Sequence, residues 1–130
     1  MAIHIDSLDH LVLTVNDILA TVFFYTRALA MEEIISSDGR VALCFGRQKI
    51  NLHLAGEEFQ PHAAVPQPGS ADLCFLSGTP LEEAIIHLRN VGVEIIEGPV
   101  RRIGSTGPQL SIYFRDPDGN LIELANQLTD

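Results

Sequence analysis

LDHLVLTV (residues 8–15) and ADLCFLSG (71–78) read as one strand met twice. Laid over each other, they place His10 on Asp72, 62 positions apart (72 − 10). The segments that follow, 16–31 and 78–93, both read as a helix closed by a small residue and then an apolar one. Those pairs are Ala30-Met31 and Gly92-Val93, again 62 apart. NLHLA (51–55) laid over LIELA (121–125) sets His53 on Glu123 at a separation of 70 (123 − 53). The second copy is then 8 residues longer (70 − 62), and GPVRRIGSTGP (98–108) is the place for the surplus. A repeat of this length decides the architecture before any single element does.

Each copy reads as a strand, a helix and three strands. In the first, Ile18, Val22, Tyr25 and Leu29 keep helical spacing over 17–29. Strands follow near 32–36, 40–46 and 48–55, split by the turns SSDGR and GRQ. In the second, Thr79-Pro80-Leu81-Glu82 has the form of a capping box with proline at the first helical position. Leu81, Ile85 and Leu88 face inward, and Gly92 lies just past the helix end. Strands follow near 93–97, 110–115 and 120–125, with DPDG (116–119) as the tight turn. Module one spans about 5–55 and module two about 70–127. The Pro- and Gly-rich stretch 56–69 links them within a single domain, 1–130.

The composition suits a folded domain. The 130 residues are 46% hydrophobic and 19% charged, which excludes extended disorder. Eight basic against 17 acidic side chains give a net charge of −9. Such a chain repels phosphate backbones and anionic membrane surfaces, so neither nucleic acid nor membrane is an expected partner. No apolar run approaches the roughly 20 residues of a membrane span, and MAIHIDSLDH lacks the form of a signal peptide, so a cytoplasmic location is expected. Cys44 and Cys74 sit within apolar runs and read as small buried residues rather than a disulfide.

Successive side chains of a strand point to opposite faces. One face collects Leu11, Leu13, Val15, Leu52, Leu54, Leu73, Phe75, Ile122 and Leu124, which should pack under the helices. The other carries His10, His53, Asp72 and Glu123, with Asn51 and Lys49 sharing the parity of His53. Carboxylates in apolar strands are costly unless paired or coordinated. Two imidazoles and two carboxylates on one face compensate one another around a divalent cation, and that donor set suits Zn, Ni, Co, Mn or Fe(II). The alternative is that all four simply face water.

DHLVLTVNDILATVFFYTRALAM (9–31), INLHLAG (50–56), GSADLCF (69–75) and IYFRDPDGNLIELAN (112–126) resemble the vicinal oxygen chelate superfamily. That group includes glyoxalase I, extradiol dioxygenases and the fosfomycin and bleomycin resistance proteins. The chain is most similar to small lactoylglutathione-lyase-like members. The resemblance implies an α+β fold of two tandem βαβββ modules, an open curled mixed sheet around one metal. Carried over by position, the ligands are His10, His53, Asp72 and Glu123. A bacterial glyoxalase I has His, Glu, His, Glu at these places; here the order is His, His, Asp, Glu, and Ala30 replaces the usual glycine after the first helix. Without Asp72, a two-His-one-carboxylate triad would remain, as in the dioxygenase arrangement.

The resemblance implies a metal-dependent lyase or isomerase acting on a small substrate with two neighbouring oxygens, such as a glutathione hemithioacetal. Glu123 would carry the proton. Extradiol oxygen chemistry, with Tyr113 handling a proton, and drug or metabolite sequestration without turnover are the alternatives. Arg102 and its neighbour Arg101, read as lying on the surplus loop, could hold a substrate carboxylate, and Asn51 could line the cup. His4, His62 and His87 are read as non-ligands. Small members of the family form homodimers, which suggests His10 and His53 from one chain and Asp72 and Glu123 from the other.

Overall fold

The computed structural model describes residues 2–129. The chain divides into two compact units, Met1–Gln67 and Pro68–Asp130. In the first, β1 (His10–Val15) leads through α1 (Ile18–Leu29) to β2 (Glu32–Ile35), β3 (Val41–Phe45) and β4 (Gln48–Leu54). The sheet order is β1-β4-β3-β2, with β1 parallel to β4 and the other pairs antiparallel. The second repeats the plan with β5 (Asp72–Leu76), α2 (Leu81–Asn90), β6 (Glu97–Gly104), β7 (Gly107–Arg115) and β8 (Leu121–Gln127), ordered β5-β8-β7-β6. The fold is thus α+β, two tandem βαβββ modules of two four-stranded mixed sheets.

The face expected to be apolar is the buried one. Leu13, Val15, Leu43, Ile50 and Leu52 are buried with Val22, Tyr25 and Ala28 of α1. In the second unit Ile112, Phe114, Ile122 and Leu124 are buried with Leu81, Ala84 and Leu88 of α2. Each of the Val, Leu, Ile and Phe side chains among them contributes on the order of 1.5–3 kcal/mol when removed from water. Asp17 caps α1 by accepting from Ala20 N at 3.0 Å. Ala30 ends the helix in the left-handed region at φ 55, the conformation that explains a glycine preference at this turn.

Two local readings of the sequence are corrected. Thr79 does not cap α2, whose N-cap is Pro80, with no side-chain cap bond of its own. The cap comes from 45 residues away, where Asn126 Oδ1 accepts from Leu81 N at 3.0 Å. The Asn126 amide also donates to Ser77 O and Thr79 O. Arg101 and Arg102 are not on a loop. The strand expected near 93–97 begins at Glu97 and runs to Gly104, with a bulge between Glu97 and Val100. Gly and Pro gave this segment the composition of a loop, but long-range pairing with β7 overrides that local preference.

Cys44 and Cys74 are both free thiols, as expected. Cys74 is an exposed residue rather than a buried one, because its strand position points away from the apolar face. Among the described residues no helix is long and apolar enough to cross a membrane.

Candidate functional site

In the first unit, His10 is level with Lys49, Val12 with Asn51 and Thr14 with His53. Level side chains of a parallel pair project to one face, so His10, Asn51 and His53 share the face away from the buried leucines. The sheet does not bring the two imidazoles together. They stand four residues apart along the strand direction, ~13 Å at ~3.3 Å per residue.

His10 has its orientation set by its neighbour. Its Nδ1 lies 2.7 Å from Asp9 Oδ1. A carboxylate only accepts, so Nδ1 carries a proton, and in the neutral form of the ring the Nε2 lone pair is left for a ligand. The hydrogen bond from His10, followed by its charge, holds the Asp9 carboxyl below the usual carboxylate range, with Lys49 adding to it.

His53 has different surroundings. It is buried, and its Nδ1 has no hydrogen-bond partner. Phe59 packs edge-on at 5.5 Å, and the Arg40 guanidinium covers the Phe59 ring at 4.2 Å. Burial first, then the Arg40 charge, push the imidazole below its usual range; Glu58 opposes them. His53 is therefore neutral at pH 7. Its cavity, about 400 Å³, is also lined by Lys49 and Asn51.

In the second unit Asp72 is level with Leu121 and Cys74 with Glu123 on parallel β5 and β8. The two carboxylates thus share a face with their Cα atoms about 8 Å apart, two residues along and one strand across. The DPDG turn holds this register. Asp116, buried, accepts from Asp118 N at 2.9 Å and from Asn120 N at 3.0 Å. Asn120 Oδ1 in turn accepts from Ala71 N at 2.9 Å, tying the strand end beside Asp72 to the turn before Glu123. Gly69 lies so close that an added Cβ would stand 2.7 Å from Asp118 O.

β7 completes this face. Tyr113 is level with Glu123, and its hydroxyl accepts from Arg102 Nε at 3.1 Å, while Arg102 Nη2 donates to Glu97 at 2.7 Å. Burial raises the Tyr113 phenol above its usual range, with Arg102 opposing and Glu123 adding. Gln109 Nε2 donates to Glu123 Oε2 at 3.1 Å. Although the Cys74 residue is exposed, its Sγ is tucked near Gln109 and Glu123. That enclosure keeps the thiol protonated above its usual range, against the pull of the Gln109 amide and with the help of the Glu123 charge. A cavity of about 320 Å³ is lined by Glu123, Tyr113, Arg102, Gln109 and Cys74.

The register revises the repeat. The pairs His10–Lys49 and Asp72–Leu121 correspond, so the counterpart of Glu123 is Asn51, 72 positions away (123 − 51). Asp9 and Gln109 are the contributors that sequence reasoning missed. The Asp-His dipeptide at the start of β1 is a readable signal for the first; Gln109 carries none until β7 is paired.

The donors fit a divalent cation chemically. His10 offers a nitrogen whose other ring nitrogen is held by a carboxylate, and Glu123 is an oriented carboxylate, both features of metal ligands. Among the described residues no group of three His, Cys, Asp or Glu side chains forms a ready cation cluster.

A sequence model of the Glyoxalase/Bleomycin resistance protein/Dioxygenase superfamily matches residues 7–124. Virulence protein STM3117 of Salmonella typhimurium is 52% identical over 121 residues, 93% of this chain and 84% of that protein. Its crystal structure superposes with a TM-score of 0.95, covering 97% of this chain and all of that one at 50% identity. Glyoxalase domain-containing protein RDO1 of Mycosarcoma maydis is 56% identical over 120 residues, 92% of this chain and 68% of that protein. More distant is the fosfomycin resistance protein FosX of Listeria monocytogenes, solved with Mn(II) and sulfate. It shares 25% identity and a TM-score of 0.69, with 96% and 93% of the two chains covered.

Proposed function

The chain belongs to the glyoxalase/bleomycin resistance protein/dioxygenase superfamily, and from that premise we propose that it is a divalent-metal-dependent lyase or isomerase. It moves a proton between adjacent carbons of a small substrate bearing two neighbouring oxygens. His10 Nε2 and the carboxylates of Asp72 and Glu123 hold the ion, and His53, further along β4, lines the substrate space. This set of one nitrogen and carboxylate oxygens suits Ni, Zn, Mn, Co or Fe(II). When bound, such an ion supplies Lewis acidity to the paired substrate oxygens. The observation that carries the reading is His10 itself, with Nδ1 committed to Asp9 and Nε2 left as a donor.

Glu123 is the proton carrier. Its Oε2 is engaged by Gln109, and Oε1 would take the proton from one carbon and return it to the next when it is not bound to the ion. Arg102 and Tyr113 bind the substrate from β6 and β7, Arg102 through a guanidinium already oriented by Glu97. Two chains form the working unit, one supplying His10 and its partner supplying the two carboxylates. A second reading, extradiol-type oxygen chemistry, is favoured by one observation: the Tyr113 phenol stands level with Glu123, placed to handle a proton.

The test is metal analysis of the purified protein, followed by reconstitution with each of the five metals. Each form is assayed with the methylglyoxal–glutathione hemithioacetal, and with catechol under air and under nitrogen. Metal-dependent thioester formation that Glu123→Gln abolishes, with a smaller loss of bound metal, is the expected result. Oxygen uptake would favour the second reading. Tight ligand binding without turnover would overturn both.

A further inference from the structure

Gln109 is a buried polar side chain of the second unit that donates to the proposed proton carrier. It is only 5% exposed, and its amide nitrogen has three acceptors within reach: Glu123 Oε2 at 3.1 Å, Cys74 Sγ at 3.4 Å and Ser111 Oγ at 3.4 Å. Gln109 and Glu123 lie on the same face of adjacent strands, with Gln109 four residues along β7 from Tyr113, the residue level with Glu123.

The room for this side chain comes from the hairpin opposite. Gly104 ends β6 and pairs with Gly107, while Arg102 pairs with Gln109. A Cβ at Gly104 would overlap Gln109 Oε1 and stand 2.9 Å from Gln109 Cδ. Gly104 is not among the positive-φ glycines, so its backbone makes no demand for glycine. What an added methyl would disturb is the Gln109 amide.

From this geometry we infer that Gln109 is a positioning residue that holds Glu123 so that a single carboxylate oxygen, Oε1, is offered to the ion, and that the absence of a side chain at Gly104 keeps it in place. A carboxylate with one oxygen engaged by an amide donor is steered towards binding a metal through the other. Without that donor the carboxylate is held by the Tyr113 hydroxyl and the Cys74 thiol instead, so its orientation, and with it the coordination geometry at the ion, changes. The inference rests on the reading of Glu123 as a ligand.

The probe is Co(II), titrated into the full-length, metal-depleted protein and followed by its visible absorption spectrum. Gln109→Met keeps chain length and removes the donor. It should weaken Co(II) affinity by roughly 10- to 100-fold, the range for outer-shell partners, and change the spectrum. Gly104→Ala leaves Gln109 in the sequence but pushes its amide aside, and should shift the spectrum in the same direction. Far-UV circular dichroism and the thermal midpoint report folding, and Gly104→Ala carries the test alone if Gln109→Met fails to fold. Wild-type affinity and spectrum in the folded variants overturn the inference. Glu123→Ala separates the two claims. If it alone alters Co(II) binding, only the role of Gln109 falls. If it too binds Co(II) as the wild type does, the ligand reading falls and takes the positioning role with it.

Discussion

Asn51 occupies in the first unit the place that Glu123 occupies in the second. Each lies on the fourth strand, two residues beyond the one level with the first donor of its module, His10 or Asp72. An amide and a carboxylate therefore stand at equivalent sheet positions, and the buried His53 lies one further step along the same face.

His10 and His53 should behave differently towards metal. His10→Ala removes a donor whose tautomer is set by Asp9, and affinity should fall by more than the roughly 100-fold upper range for outer-shell changes. His53→Gln should leave affinity within a few-fold of wild type. Competition against a chromophoric chelator measures both. A larger loss for His53→Gln would move that imidazole into the coordination sphere.

Asp9→Asn keeps the size of the His10 partner but removes its charge. An amide oxygen supports the ring more weakly, and metal affinity should drop by roughly 10- to 100-fold with the fold intact. Calorimetric titration with Zn or Mn reads the change. An unaltered dissociation constant would leave the Asp9–His10 contact as surface decoration.

Acid should destabilise the metal-free protein through His53. Burial and Arg40 depress its folded pKa. A depressed base binds its proton more readily in the unfolded chain, so stability is intact above the unfolded value of about 6.5 and is lost as pH falls below it. Urea midpoints between pH 7.5 and 5 should decline, and His53→Gln should flatten that slope. An equally steep decline in the variant would assign the acid sensitivity elsewhere.

Asn126→Ala should destabilise the second unit. The side chain satisfies Leu81 N at the start of α2 and two carbonyls in the preceding turn, Ser77 O and Thr79 O. Leaving partly buried backbone groups unpaired costs about 1–3 kcal/mol. Thr79→Ala, which removes no cap bond, should cost under about 0.5 kcal/mol. Denaturant titration of the two variants decides between the distant cap and the local one.

The face on which each chemical group stands was legible in the sequence because alternation along a strand is local. His10, Asp72 and Glu123, with Asn51 and His53, were all assigned to the face opposite the buried leucines, and the pairing of the strands puts them there. The helices were legible for the same reason: helical spacing needs only a dozen residues. Arg102 was not, because Gly98, Pro99 and Gly104 gave β6 the composition of a loop, and only the partner strand β7 makes it a strand.

By itself, then, the sequence determined the two-fold repeat, the element order and the parity of every candidate donor. The tertiary structure decided how far along each strand those donors stand. A slip of one residue exchanges the faces and would show in the hydrophobic pattern, whereas a slip of two leaves every side chain on its own face. Alternation therefore cannot distinguish Asn51 from His53 as the counterpart of Glu123. Only the hydrogen-bonded pairing of β1 with β4 and of β5 with β8, joined across dozens of residues, makes that choice.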